Sequence, residues 1–221
     1  SAIEKCTQPY SGEYGVLSVG CLFAMDTTAF LTQITDTFRE KYPNIKLIFE
    51  RHSFKALRER LLNGTLDVVF TLSFEIDDNM GILYDKLFKA YTCVAMSTSH
   101  PLVGRKDLKL SDLKDENFLM ISREESPKGF DSCIRVCRKH GFTPNIVKQL
   151  PNVESLLLSV EAGLGIALFD TNVKLHDGAR VKLIEIDDDS IDIVMAWRKD
   201  NLNPAVALFT DIVSNTNNKY Q

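Results

Sequence analysis

The sequence predicts an α/β protein of two Rossmann-like lobes joined by two hinge strands, and three observations carry that reading. A strand, helix, strand, helix, strand order is written twice along the 221 residues. The elements of the second copy start at 118, 128, 145, 152 and 165 against 16, 27, 45, 53 and 66 in the first, an offset that marks two α/β units. Two strong strand stretches, 89–97 and 191–197, stand outside both copies and supply the crossings between them.

The first copy opens on Val16-Leu17-Ser18-Val19-Gly20, and Phe30, Ile34 and Phe38 share one face of a helix expected over about 27–41. Pro43-Asn44 ends that helix, because proline has no N–H to continue the ladder. Ile45, Leu47 and Phe49 then alternate, the pattern of a strand with one side turned inward. Ser53 is placed as the N-cap of a second helix that buries Leu57 and Leu61, with Asn63-Gly64 as its left-handed stop. Leu66-Asp67-Val68-Val69-Phe70 is nearly continuously apolar, as buried parallel strands are. The second copy reads as strand 118–122, helix about 128–140 closed by Gly141 and Pro144, strand 145–149, helix about 152–162 closed by Gly163, and strand 165–169. Right-handed crossovers set helices on both faces of each sheet. Asn203-Pro204 is an N-cap with proline at the first helical position, and Phe209, Ile212 and Val213 share a face of a last helix. If that helix packs back on the first lobe, both connections are hinges and the site falls in the cleft.

Hydrophobic residues at 44% and charged residues at 25% suit a globular chain with a sizeable core and exclude a disordered or fibrous one. With 26 basic against 30 acidic residues the net charge is −4, and Lys and Arg are scattered, so the chain alone lacks the footprint of a nucleic-acid binder. No apolar run approaches the ~20 residues needed to cross a bilayer, and Ser1-Ala2-Ile3-Glu4-Lys5-Cys6 lacks the order of a signal peptide. Opening with Ser rather than Met, the chain reads as a processed product or a fragment of something longer. Cys6, Cys21, Cys93, Cys133 and Cys137 carry no zinc spacing and fit packing thiols in a reducing cytoplasm. Cys133 and Cys137 lie four apart on a helix, where disulfide geometry is poor.

Catalytic signatures are missing. Gly163-Leu164-Gly165-Ile166-Ala167-Leu168 lacks the third glycine of a dinucleotide loop and leads from helix to strand, the wrong context. No Walker loop, nucleophile elbow or zinc-protease His pair is present, and His52, His100, His140 and His176 read as isolated surface residues. Asp187-Asp188-Asp189 reads as a solvated turn between two strands rather than a cation site. The expectation is therefore a non-enzyme with no metal and no cofactor.

Ligands in open α/β sheets sit beyond the carboxyl ends of the strands. Here those ends are Cys21 to Thr28, Ser53-Phe54 and Thr71 to Ser73, then Ser122 to Phe130, Asn152 and Phe169. Helix starts near Thr27-Thr28, Ser53, Ser126 and Asn152 would point free N–H groups at the cleft and favour a small anion or carboxylate. Glu124 and Glu125 would repel an anion unless turned away or neutralised by Arg123 and Lys128, so an amino-acid-like ligand with both charges also fits.

A set of ordered pieces resembles the effector-binding domain of LysR-type bacterial transcription regulators over residues 14–213. They are Phe38-Arg39-Glu40-Lys41-Tyr42-Pro43, Leu61-Leu62-Asn63-Gly64-Thr65-Leu66-Asp67, His100-Pro101-Leu102, Ser111-Asp112-Leu113 with Phe118 after it, Gly141-Phe142-Thr143-Pro144, and Val160-Glu161-Ala162-Gly163-Leu164-Gly165-Ile166-Ala167-Leu168. The resemblance implies the type II periplasmic-binding-protein fold. Residues 14–92 plus 194–215 would form lobe I and 93–193 lobe II, with 1–13 a linker tail and 216–221 a C-terminal tail. It also implies a small-molecule effector in the cleft, a homodimer or homotetramer, and promoter DNA contacted only through an N-terminal helix-turn-helix domain missing from this chain. Effector contacts would fall on Cys21, Leu22, Phe23, Ser53, Phe54, Thr71, Ser73, Ser126, Pro127 and Phe130. Two departures bear on the pocket. Cys21-Leu22-Phe23 is bulkier than the small hydroxyl or proline residues common there, and Phe169-Asp170 replaces a usual Leu-Pro, which puts that strand end's contribution in doubt. The peroxide-sensing branch uses a longer Cys separation than 133 and 137 show.

A two-lobed architecture alone does not separate a sensor from a solute-binding protein serving a transporter, which is the alternative reading. Free thiols and the missing export signal weigh against a carrier. An enzyme on the same fold would need a catalytic constellation that these residues do not supply.

Overall fold

In the computed structural model residues 14–28, 30–77 and 81–217 are described, the side chains of 187–189 and 217 excepted. The tails 1–13 and 218–221, and with them Cys6, lie outside the described residues. The first lobe begins with β1 (Gly15–Leu22), α1 (Leu31–Lys41), β2 (Ile45–His52), α2 (Phe54–Leu62) and β3 (Val68–Leu72), and β1 pairs parallel with both β2 and β3. The chain then extends as β4 (Ile82–Ser97) into the second lobe, which adds β5 (Asn117–Ile121), α3 (Pro127–Lys139), β6 (Asn145–Leu150), α4 (Val153–Glu161) and β7 (Ala167–Asp170). It returns along β8 (Val181–Arg198) and closes with α5 (Pro204–Asn217).

The strand order is β2-β1-β3-β8-β4-β7, with β5 and β6 paired in parallel beside it. β5 joins β7's approach through a bridge from Phe118 to Ile166, so one chain of strands runs through both lobes. The hinge strands are β4 and β8, antiparallel from Ile82 and Arg198 at one end to Ser97 and Val181 at the other. Their ladder slips between Tyr91, opposite Ser190, and Cys93, opposite Glu185, which leaves residues 186–189 facing Thr92 alone. Asp187-Asp188-Asp189 therefore lies inside one long strand at a bulge, and the expected turn between two strands is not there. Extra residues on one strand of a pair bend it and increase its twist, which is what a strand passing between lobes requires.

Local chemistry accounts for the elements. Ser53 caps α2 by accepting the Ala56 N–H at 3.4 Å, and Gly64 follows that helix at φ 76°, a conformation costly for any residue with a Cβ. Ser126 caps α3 ahead of Pro127, and Asn152 caps α4. The start of α1 differs from the expectation. Asp26 accepts the Thr28 N–H at 2.9 Å, a local turn that competes with helix, so α1 begins at Leu31 with Phe30 at its cap and Thr27-Thr28 in the preceding loop. Phe49 also differs, exposed because β2 is an edge strand. His52 and His100 are half-buried rather than isolated on the surface, facing Glu50 at 2.7 Å and Glu116 at 3.4 Å.

One core fills the first lobe, where Phe38 stacks between Tyr42 and Phe209, and Phe30 between Phe70 and Phe88, with centroids 5.2–5.7 Å apart. Phe209, Ile212 and Val213 belong to this core, so α5 does return to the first lobe. Two smaller cores flank the second lobe's sheet. Val94, Met96, Phe118 and Ile166 face one side, while Ala95, Leu119 and Ala167 face the other, the period-2 alternation of strands covered on both faces. Buried Asp67 ties the first lobe's strands together: its carboxylate accepts the Ser18 N–H at 2.9 Å and the Asn201 amide at 3.3 Å.

Gly165 packs where a Cβ would lie 2.6 Å from the Asn117 carbonyl oxygen and 3.0 Å from Leu119 Cγ. Because the nearest atom is backbone, Gly165→Ala is expected to destabilise the fold by about 1–3 kcal/mol in urea melts, the range for overpacking. An unchanged midpoint would show that β5 and β7 yield there.

Candidate functional site

A cleft of about 740 Å³ opens between the lobes. Seven of the ten residues singled out above line it: Leu22, Phe23, Ser53, Phe54, Ser73, Ser126 and Phe130. The other three do not. Cys21 points into the first core, where burial pushes its thiol up to about 11 against the opposing pull of Arg51. Thr71 is buried in β3 opposite Val194, and Pro127 is spent on starting α3. Phe169 and Asp170, whose part was in doubt, both line the cleft. The starts of α2, α3 and α4 meet there through Ser53-Phe54, Ser126 and Val153-Glu154. Three helix N-termini thus converge on one cavity, bringing unsatisfied N–H groups and positive dipole ends together.

The lobes touch across the cleft at two places. On one side a Glu125 oxygen accepts the Lys55 N–H of α2 at 3.1 Å, seating a carboxylate on that helix's N-terminus, and Glu124 pairs with the Lys55 ammonium at 2.9 Å. Beside them the buried Ser126 hydroxyl donates to Glu75, which also holds Arg58 at 2.8 Å, and Lys128 reaches Asp77 at 2.8 Å. The neutralising partner of Glu124 is Lys55 rather than Arg123 or Lys128: Arg123 pairs with Asp131 at 2.7 Å and lies over the Phe130 ring. At the hinge end the loop after β7 is sewn to the loop after β1. Asp26 N–H donates to the Asn172 carbonyl at 2.9 Å, Lys174 N–H to that of Ala24 at 2.7 Å, and Met25 bridges Val173.

Sequence reasoning missed Arg51. From β2 its guanidinium donates to the carbonyls of Leu22, Phe23 and Met25 at 2.9–3.1 Å and to the Thr27 hydroxyl at 3.0 Å, fixing the loop that forms one wall. The only signal was an arginine in an otherwise ordinary edge strand. Cys133 also lines the cleft, where a hydrogen bond with Cys137 and burial hold its thiol well above the ordinary range. Among the described residues no cluster of three metal-ligating side chains occurs. The cavity wall is mostly apolar, with hydrogen-bonding groups among its lining residues, the usual make-up of a small-molecule site.

Two lobes closing on such a cavity define a ligand-binding domain of the periplasmic-binding-protein type. The chain belongs to the LysR substrate binding domain family, whose model matches residues 11–217. It is similar to the HTH-type transcriptional regulator AlsR of Bacillus subtilis (strain 168), with 28% identity over 95% of this chain and 69% of that protein. Among solved structures it resembles the C-terminal domain of a probable LysR family transcriptional regulator from Rhodococcus sp. RHA1, at 25% identity and TM-score 0.72, covering 91% of this chain and 99% of the other. It also shares the fold of the effector binding domain of QuiR in complex with shikimate, at 18% identity and TM-score 0.78, over 93% and 98% of the two chains. No helix among the described residues is long and apolar enough to cross a membrane.

Two outcomes follow from this geometry. Arg51→Ala is expected to lower stability by about 1.5–3 kcal/mol, the range for a hydrogen bond to a charged group, and to speed amide exchange at 22–27. Unchanged exchange there would deny Arg51 its hold on the loop. Burial raises the Asp170 carboxyl above its usual range, against a lowering hydrogen bond from Asn172. A carboxyl raised on folding contributes most below its unfolded pKa and loses that contribution as pH rises through the folded value. Asp170→Asn is therefore expected to melt higher than the parent at neutral pH, with the gap closing as pH falls through the carboxyl range; a constant gap would contradict it.

Proposed function

We propose that this chain is the ligand-sensing part of a LysR-type transcription regulator, binding a small carboxylate or amino-acid-like metabolite between its lobes. The observation that carries the ligand class is Glu125: the α2 N-terminus already holds a carboxylate, the group an effector would present to the neighbouring N-termini. The shikimate bound by QuiR is likewise a carboxylate. Leu22, Phe23, Ser53, Phe54, Ser73, Ser126 and Phe130 are proposed as effector contacts. Ser126 acts through the cross-cleft contact, since its hydroxyl donates to Glu75 and accepts the Gly129 N–H.

The proposal extends to the whole protein. Effector binding shifts the balance between lobe arrangements in a homodimer or homotetramer, and a separate N-terminal domain carries that change to promoter DNA. The chain itself performs no catalysis, needs no cofactor and works in the cytoplasm. Lobe I is proposed as residues 14–92 plus 194–215 and lobe II as 93–193.

A thermal-shift screen of small carboxylates and amino acids, followed by calorimetry, tests this reading. A ligand at 100 times its Kd stabilises the chain by about 2.7 kcal/mol. Ser53→Ala is expected to cost about 0.5–1.5 kcal/mol of affinity through one lost hydrogen bond, and Phe130→Ala to weaken binding further. Unchanged affinity in both variants would remove these residues from the site.

A further inference from the structure

Asp170 is a carboxylate that the fold does not fully use. It ends β7 opposite Thr92 and lines the cleft at its hinge end, near Asn172, Ser190 and Asp192. One oxygen accepts the Asn172 N–H at 2.8 Å, closing a tight turn; among the described residues no Lys, Arg or His pairs with it. Lys174, the cation on the adjoining loop, lies beside Asp26, and Asp192 is already held by Lys86 at 2.6 Å. An asparagine would make the same turn through its amide oxygen without a charge, because both residues share that local geometry. What the acid adds is a negative oxygen facing a mostly apolar cavity, an arrangement that costs free energy until a donor meets it.

The three helix N-termini lie on the lobe walls together with Lys128, Arg135 and Lys139 and with the acids Glu125, Asp131 and Glu154, so the walls carry both signs, whereas the strand crossing presents the acids Asp170 and Asp192, of which Asp192 is held by Lys86. We infer that Asp170 sets ligand specificity by accepting from a hydroxyl or ammonium group carried away from the ligand's carboxylate, and that it excludes a second carboxylate at that end. This rests on the cleft being the carboxylate site proposed above. The ligand class narrows to hydroxy- and amino-acids over plain monocarboxylates and diacids.

Two matched series test it: butyrate, 4-hydroxybutyrate, 4-aminobutyrate and succinate, and benzoate, 3,4-dihydroxybenzoate and terephthalate. Each is titrated by calorimetry into the parent chain and into Asp170→Asn. For at least one series the parent is expected to bind the hydroxy or amino member tenfold or more tighter than the plain acid, with the diacid weakest. Asp170→Asn is expected to erase that order and admit the diacid. Equal binding of plain and substituted acids by the parent, or an order that survives Asp170→Asn, would overturn the inference while leaving the carboxylate cleft intact. Failure of every probe to bind either protein would instead remove the carboxylate reading and this inference with it. Should Asp170→Asn not fold, Asp170→Ser, whose hydroxyl also accepts from Asn172, takes its place.

Discussion

The antiparallel ladder between β4 and β8 is the constraint from which the rest of the molecule follows. Both strands run from one lobe into the other, so each contributes residues to all three cores: Ile82, Leu87 and Ala90 of β4 to the first, Val94 and Met96 to the second, and Ala95 to the third. The ladder is interrupted twice, between Lys86 and Phe88 and between Tyr91 and Cys93, and the second, larger slip falls where the strands pass between the lobes; such irregularities bend and twist a strand. The cleft opens beside that point. Its depth is set by covalent continuity at the hinge, and its walls by whatever each lobe presents at its strand ends.

What the lobes present is a contest for the same groups. Helix N-termini require capping, and Ser53, Ser126 and Asn152 cap their own helices. The Lys55 N–H, two residues past the Ser53 cap, is met by Glu125 from the opposite lobe, which converts a local need into a cross-lobe contact. A carboxylate brought in from outside meets a site of the right sign with an internal occupant already on it. In the proposed function, ligand binding would act on the closure of the lobes through differential contacts, the requirement for any shift between two arrangements. Half-buried Arg58 orients buried Glu75, and the hydrogen bond that Glu75 accepts from buried Ser126 across the cleft gives that closure a defined geometry.

Most of the fold was legible because its signals are local. Hydrophobic period and capping residues act within a few positions, so Ser53, Ser126, Asn152 and Pro204 mark their helices without reference to the remainder of the chain. Where longer-range pairing decides, the reading faltered. The Asp187-Asp188-Asp189 run resembles a turn in composition, and only the pairing of its flanks, Glu185 with Cys93 and Ser190 with Tyr91, carries one strand through it. The Asp26 turn delayed α1 in competition with an apolar pattern that favoured an earlier start. In the cleft, the strand-end rule located the right loops but not which side chains face inward: Leu22 lines the cavity while Cys21 beside it turns to the core. Arg51 was invisible for the same reason, its four partners lying 24 to 29 residues away in sequence.

The proposed function requires one carboxylate-bearing ligand to sit between the lobes, against the convergent helix starts. The most direct measurement is amide chemical-shift mapping of the chain titrated with the strongest binder found among small carboxylates. The largest shifts are expected at Phe23, Ser53 to Lys55, Gly129 and Phe130 and Asp170 to Asn172, on both walls and the hinge. Shifts confined to the outer face of one lobe, or absent from the α2 start, would contradict it.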